Sequence, residues 1–233
     1  MDFGLIFSAF FRAVGQMGDP RFRRVLFLGI ALTIALLIAA YAGLLWLIEA
    51  LTGESTTLPI VGEVTWLGDL LGWGSALLMI GLSVFLMVPV ASAITSMFLE
   101  TVAQAVEDRH YPNLPQVPGT PLGDAIRDTL NFLGVLILAN LLAIFLYVLF
   151  PPAALFIFWA MNGFLLSREY FTLAAMRRIG REGARKLRSQ HSATIWVAGT
   201  LMAIPLSIPL VNLLIPILGA ATFTHIFHGV QRR

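Results

Sequence analysis

The sequence contains no cysteine, which excludes disulfides and cysteine-ligated metals. Charge is scarce. Charged residues make up 12% and hydrophobic residues 58%, whereas soluble domains carry about 25% charge. This balance marks an integral membrane chain. No polar stretch is long enough to hold a second core, so residues 1-233 read as one domain. The chain has 15 Lys and Arg, and none of them lies within residues 25–108. Phosphate-cradling glycine loops, nucleophile elbows and H-E-x-x-H helices are absent. No catalytic arrangement, cofactor or metal site is therefore expected, and transport driven by ATP would need another subunit. A secretory leader is not expected either: Asp2 comes early, and neither a basic opening nor a small-residue cleavage pattern follows.

What the chain does have is long apolar runs punctuated by proline. Residues 1-18 place Phe3, Phe7, Phe10, Phe11 and Val14 at helical spacing. They are too short and polar to span, and read as an amphipathic helix in the membrane interface with Arg12 towards the headgroups. Asp19 suits an N-cap and Pro20 a first helical position. Arg21, Arg23 and Arg24 then open a run that is uncharged from Val25 to Ile48, predicting a first span over 25-51. A second long span is predicted over 70-99, kinked at Pro89. Later uncharged blocks are broken by Pro151-Pro152 and by Pro205, Pro209 and Pro216.

Charge placement sets the expected topology. The segment between the first two spans holds four acids, Glu49, Glu54, Glu63 and Asp69, and no base. The positive-inside rule therefore puts the N-terminus in the cytoplasm and this segment outside. The last two apolar blocks each have basic flanks on both sides: Arg127, the Arg168–Arg188 group, and Arg232-Arg233. Both ends of each block then belong inside. The economical solution is two helical hairpins, over 129-167 and 193-228, that enter part-way and turn back at Pro151-Pro152 and at Ile204–Pro209; the alternative is four ordinary spans with short helices, since tilt and bilayer thinning permit some mismatch. Their tips expose backbone groups that lipid does not satisfy, so they must be buried against protein or line a wet cavity. The fold class read from this pattern is an all-α integral membrane protein with two long spans, two proline-broken hairpins and an N-terminal amphipathic helix.

The C-terminal block IPLSIPLVNLLIPILGAATFTHIF, the Arg23-Arg24 pair behind Pro20, and the post-span segment FLETVAQAVEDRHYP resemble the CysZ family of bacterial inner-membrane sulfate permeases. That resemblance implies sulfate uptake across the inner membrane, feeding cysteine synthesis. It also implies two long helices with half-penetrating pairs, and a homo-oligomer. The family's sulfate contacts fall on Pro20, Arg21, Phe22, Arg23 and Arg24, where backbone amides and guanidiniums act together. Here Arg21-Phe22 replaces the family's glycine-containing turn.

Other polar residues carry weaker expectations. Glu100 and Glu107 lie two turns apart on one helix face, with Arg109 just beyond. The bland reading is structural pairing between helices, and the sharp one a proton-coupling carboxylate, which would need burial at membrane depth. Arg127, between Asp124 and Asp128, reads as a surface ion pair at a helix start or as a secondary basic group. The basic 168–192 segment reads as a helix resting on anionic headgroups, not as a nucleic-acid surface. His225 and His228 lack a third metal ligand and read as a polar helix end. The partners expected are sulfate or a related oxyanion, the lipid bilayer and further copies of the chain. A lipid-interacting or partner-binding scaffold that transports nothing is the alternative.

Overall fold

A computed structural model describes residues 1–52, 56–58, 62–64, 74, 98–117 and 122–232. Among these the chain is helical but for one short hairpin. Helix α1 spans Phe3–Gly15, and the Asp2 carboxylate caps it by accepting the Leu5 N–H at 2.9 Å. Helix α2 covers Pro20–Thr52. Strands β1 (Thr56–Leu58) and β2 (Gly62–Val64) pair antiparallel, Thr57 opposite Glu63. Helix α3 spans Leu99–His110 and α4 spans Leu122–Leu149. A 3₁₀ turn, Pro151–Ala153, follows. Helix α5 runs over Ala154–Gln190 and is broken at Gly180. Helix α6 (Ser192–Ala203) meets a second 3₁₀ turn, Ile204–Ser207, and then α7 (Pro209–Asn212) and α8 (Ile215–Gln231).

Helix α8 is the centre. Nearly every residue from Ile215 to His228 is buried, as expected of a helix that is apolar all round. It packs against α1, α3 and α5. Phe171 of α5 meets Phe227 edge-on, with ring centroids 6.2 Å apart, an arrangement aromatic quadrupoles favour. The second half of the family-like C-terminal block, from Ile215 on, therefore lies in the core. Helix α1 turns Ile6, Ala9 and Ala13 to this core and leaves Phe3, Phe7, Phe11 and Val14 exposed. Ile6, Ala9 and Ala13, flanked by the half-buried Leu5 and Phe10, make the tertiary contact. Gln16 donates to the Ala105 carbonyl at 3.0 Å, which ties the α1–α2 turn to α3.

Beyond this body α2 is bare. Phe22 and Val25 are buried, while Phe27, Leu36, Ile38 and Trp46 are more than half exposed. With 33 residues α2 is about 50 Å long. Its Pro20–Gly43 stretch is the one helix among the described residues long and apolar enough to cross a membrane. Helix α4 is likewise bare, with Leu138 and Val148 at 69% and 75% exposure. Contiguous apolar faces of this kind mark contact with lipid or with another protein.

The predicted turns fall where proline stops a helix: α4 ends before Pro151, and α6 ends at the Ile204–Ser207 turn. The predicted boundaries shift. The first hairpin's leading arm starts at Leu122, not at 129, and its second arm runs on beyond 167 as α5, which breaks only at Gly180. The second hairpin extends to Gln231. Gly180 has φ +69°, a conformation that glycine alone adopts without penalty. Helices α5 and α6 cross with backbones touching: a Cβ at Gly199 would collide with the Gly163 carbonyl oxygen. The predicted 70-99 span lies outside the described residues apart from Gly74, Phe98 and Leu99, and Arg127 belongs to α4 with its side chain outside them.

Candidate functional site

Two groups of polar residues converge around α3. The first is the start of α2. The Asp19 carboxylate accepts the Arg21 N–H at 2.8 Å and lies 3.2 Å from the donating Gln16 amide. An acid thus already caps the positive end of this helix. Pro20 is exposed at the first helical position, and Arg23 and Arg24 are exposed one turn on. Phe22 is 1% exposed, so its side chain serves the core and only its backbone faces the helix start. Arg21 reaches across to Asp108 of α3, with Nη1 2.6 Å from Oδ2. This bond, followed by one from Gln104, holds the Asp108 carboxyl below its ordinary range. The arrangement leaves Arg23 and Arg24 as the cations turned outward beside an acid-capped helix start.

The second group is buried and centres on Glu107, which is 2% exposed. Arg178 grips it from the side, Nε to Oε1 at 2.9 Å and Nη2 to Oε2 at 2.7 Å. Arg177 Nη1 lies 3.4 Å from Oε2, and His228 Nε2 lies 3.0 Å from Oε1. Arg177 also donates to Gln104, and Arg178 to the Pro115 carbonyl. Burial alone would raise the Glu107 pKa. Hydrogen bonds from His228 and Arg178 and the charges of both arginines outweigh it, and bring the value to about 2. Glu107 is therefore a carboxylate at every physiological pH, tying α3 to partners on α5 and α8.

Tyr111, at the end of α3, continues this network. Its hydroxyl is 3.0 Å from His225 Nδ1, its ring packs on His228 at 4.2 Å, and Arg232 sits 5.4 Å over its face. Burial pushes the Tyr111 hydroxyl up, while Arg12 and Arg232 pull the other way. His110 packs edge-on to His225 at 4.8 Å. Burial, then the charges of Arg109 and Arg12, pushes His110 down, so it is neutral at pH 7. Glu100 is half-buried and does not share the burial of Glu107, and Arg109 is exposed.

The sequence reading therefore found one member of the buried cluster, Glu107, and missed Gln104, Tyr111, Arg177 and Arg178. A signal was present. Gln104, Glu107, Asp108 and Tyr111 recur at three- and four-residue steps, one polar face of α3. Nothing in the 168–192 segment distinguishes Arg177-Arg178 from its other bases. Not all of that segment's bases are at the surface where headgroups would meet them: the side chains of Arg177 and Arg178 are only 8% and 9% exposed. His225 and His228, read as a polar helix end, are 2% and 5% exposed inside the network. They face Tyr111 and Glu107 instead of sharing a metal, and no cluster of metal-ligating side chains occurs among the described residues.

Comparison with known proteins places these features. The profile of the family described as Sulfate transporter CysZ/Etoposide-induced protein 2.4 matches residues 9–216. The match takes in the α2 start, α3, both proline turns and the first residues of α8. No curated protein and no solved structure matches the chain.

Proposed function

Because this chain belongs to the family of the sulfate transporter CysZ and etoposide-induced protein 2.4, we propose that it is a permease for sulfate or a related oxyanion in the bacterial inner membrane, serving cysteine synthesis. The observation that carries this reading is the family match from residue 9 to residue 216. It spans the arginine-rich start of the one bare helix among the described residues long enough to cross a bilayer. Pro20, Arg21, Phe22, Arg23 and Arg24 form the proposed contact. Arg23 and Arg24 supply charge-assisted donors, and the α2 start supplies backbone N–H groups. Arg127 is kept as a second basic group at the start of α4, and Arg109 and Glu100 as flanking charges.

The proposed topology is multi-pass with both termini in the cytoplasm. Helices α1 and α8 pack together, and Arg12 and Arg232 line one cleft. That packing supports termini on a common side. The proline turns at Pro151–Ala153 and Ile204–Ser207 are the proposed tips of half-inserted hairpins. The bare α2 and α4 faces are the proposed contacts with lipid and with further copies of the chain. Glu107 is proposed as a structural carboxylate: with so low a pKa it does not pick up a proton at working pH.

A second reading, a membrane scaffold that transports nothing, draws on the Asp19 carboxylate at the α2 start, which competes with an anion there. Labelled-sulfate uptake into proteoliposomes decides between the two. The permease reading expects uptake above empty vesicles that is lost in Arg23→Ala/Arg24→Ala. Uptake equal to empty vesicles, with the oligomer intact by size-exclusion chromatography, leaves the scaffold.

A further inference from the structure

A small cleft of about 70 Å³ opens between α1, the end of α3 and α8. Arg12, Tyr111, His225, His228 and Arg232 line it together with small and apolar residues, and no acid is among the lining. Arg12 and Arg232 are exposed, so the two guanidiniums stand at the rim. The interior is different. His225 is 2% exposed, and its Nε2 has no hydrogen-bond partner. A buried nitrogen left unpaired costs about 1–3 kcal/mol unless something satisfies it. Its other nitrogen meets the Tyr111 hydroxyl at 3.0 Å. When the Tyr111 O–H donates to Nδ1, the neutral imidazole carries its proton on Nε2, and in that tautomer the unpaired atom is a donor.

The cleft thus offers N–H donors from Arg12 and Arg232 at its rim, the His225 ring in its lining, and no acidic competitor. Glu107 lies behind it, but Arg177 and Arg178 already match that charge. It does not neutralise the two arginines at the rim. We infer that this cleft binds a small oxyanion of the sulfate or phosphate type, held by Arg12 and Arg232 beside the His225 ring. This site is separate from Arg21–Arg24 and does not depend on transport. A larger cleft of about 440 Å³, lined by His110, Asn113 and Gln231 among others, shares Tyr111, His228 and Arg232 with it and gives a phosphate carried on a larger molecule a place for its remainder. Free oxyanion and lipid headgroup phosphate are the two sources of this chemistry.

The test uses the purified full chain in detergent with isotope-labelled histidine. Sodium sulfate or sodium phosphate is titrated at constant ionic strength, and the His225 ring-nitrogen resonance is read. The expected result is a saturable displacement that survives in Arg23→Ala/Arg24→Ala. Arg12→Gln and Arg232→Gln should each weaken it about tenfold, the scale of one lost charge-assisted bond. Both side chains are exposed, so an unchanged melting temperature confirms that these variants fold. A displacement produced only by phosphatidylglycerol bicelles, and not by phosphatidylcholine bicelles or free anions, assigns the site to a lipid headgroup and sustains the inference. No displacement with any of these probes, or one unchanged in Arg12→Gln/Arg232→Gln, overturns it.

Discussion

Arg178 and Glu107 lie 71 positions apart in sequence and meet as a two-pronged pair, with bonds of 2.9 and 2.7 Å to the two carboxylate oxygens. Both side chains are nearly sealed from solvent, at 9% and 2% exposure. Removing one partner of a buried pair strands the other charge, which costs about 3–5 kcal/mol. Arg178→Ala is expected to lower stability on that scale in chemical denaturation. Glu107→Gln combined with Arg178→Ala should cost less than the two single changes summed, because the stranded charge is gone. Strict additivity would show that the pair is not a unit.

Acid should expose the same carboxylate. The Glu107 pKa falls from its ordinary 4.5 to about 2 in the folded protein. A depressed folded value means stability that is fully present above about pH 4.5 and is lost as pH falls towards 2. A shift of this size corresponds to about 3 kcal/mol. Melting temperatures measured from pH 7 to pH 3 should therefore drop steeply below about pH 4.5 in the parent, and less steeply in Glu107→Gln. Equal slopes for the two proteins would remove Glu107 as the source.

The α5–α6 crossing makes a steric prediction. A Cβ at position 199 meets the Gly163 carbonyl, and the Ser167 Cβ at 2.7 Å. Backbone cannot swing aside as a flexible side chain does, so Gly199→Ala should cost about 1–3 kcal/mol. Gly43→Ala is the control: nothing lies within 4 Å of its Cβ. In mid-helix that change should gain up to about 1 kcal/mol. Thermal melting of the two variants checks both signs.

At the α2 start, Asp19 and the outward arginines make opposite predictions for sulfate. In purified protein titrated with labelled sulfate, Arg23→Ala/Arg24→Ala should remove the sulfate-binding component at the α2 start, leaving only that of the Arg12–Arg232 cleft. Asp19→Asn keeps a capping side chain but removes the competing charge, and should tighten binding about tenfold. Weaker sulfate binding in Asp19→Asn would mean that the acid orders the site instead of competing for it.

How much of this was legible beforehand differs by element. The proline turns at Pro151-Pro152 and Ile204–Ser207 were readable because proline lacks an N–H and clashes with the preceding turn, so it ends a helix that runs into it. The start of α2 was readable because Asp19 caps and Pro20 suits the first helical position. The β1–β2 hairpin was not, since its strands are only three residues each and three residues carry no usable period. Arg177 and Arg178 were not singled out because a basic stretch on a headgroup surface and a buried pair have the same composition. Only the position of Glu107 separates them.

The sequence by itself determined the class of the molecule. Runs without charge, proline breaks and the absence of Lys and Arg over residues 25–108 are local or compositional facts, and they dictate where helices start, stop and tolerate lipid. Tertiary structure alone decided which polar residues are buried and with whom. Glu107 meets His228 across 121 positions and Arg178 across 71. Tyr111 meets His225 across 114. Such pairings depend on how α3, α5 and α8 pack, and a pattern read along the chain holds no distance between helices.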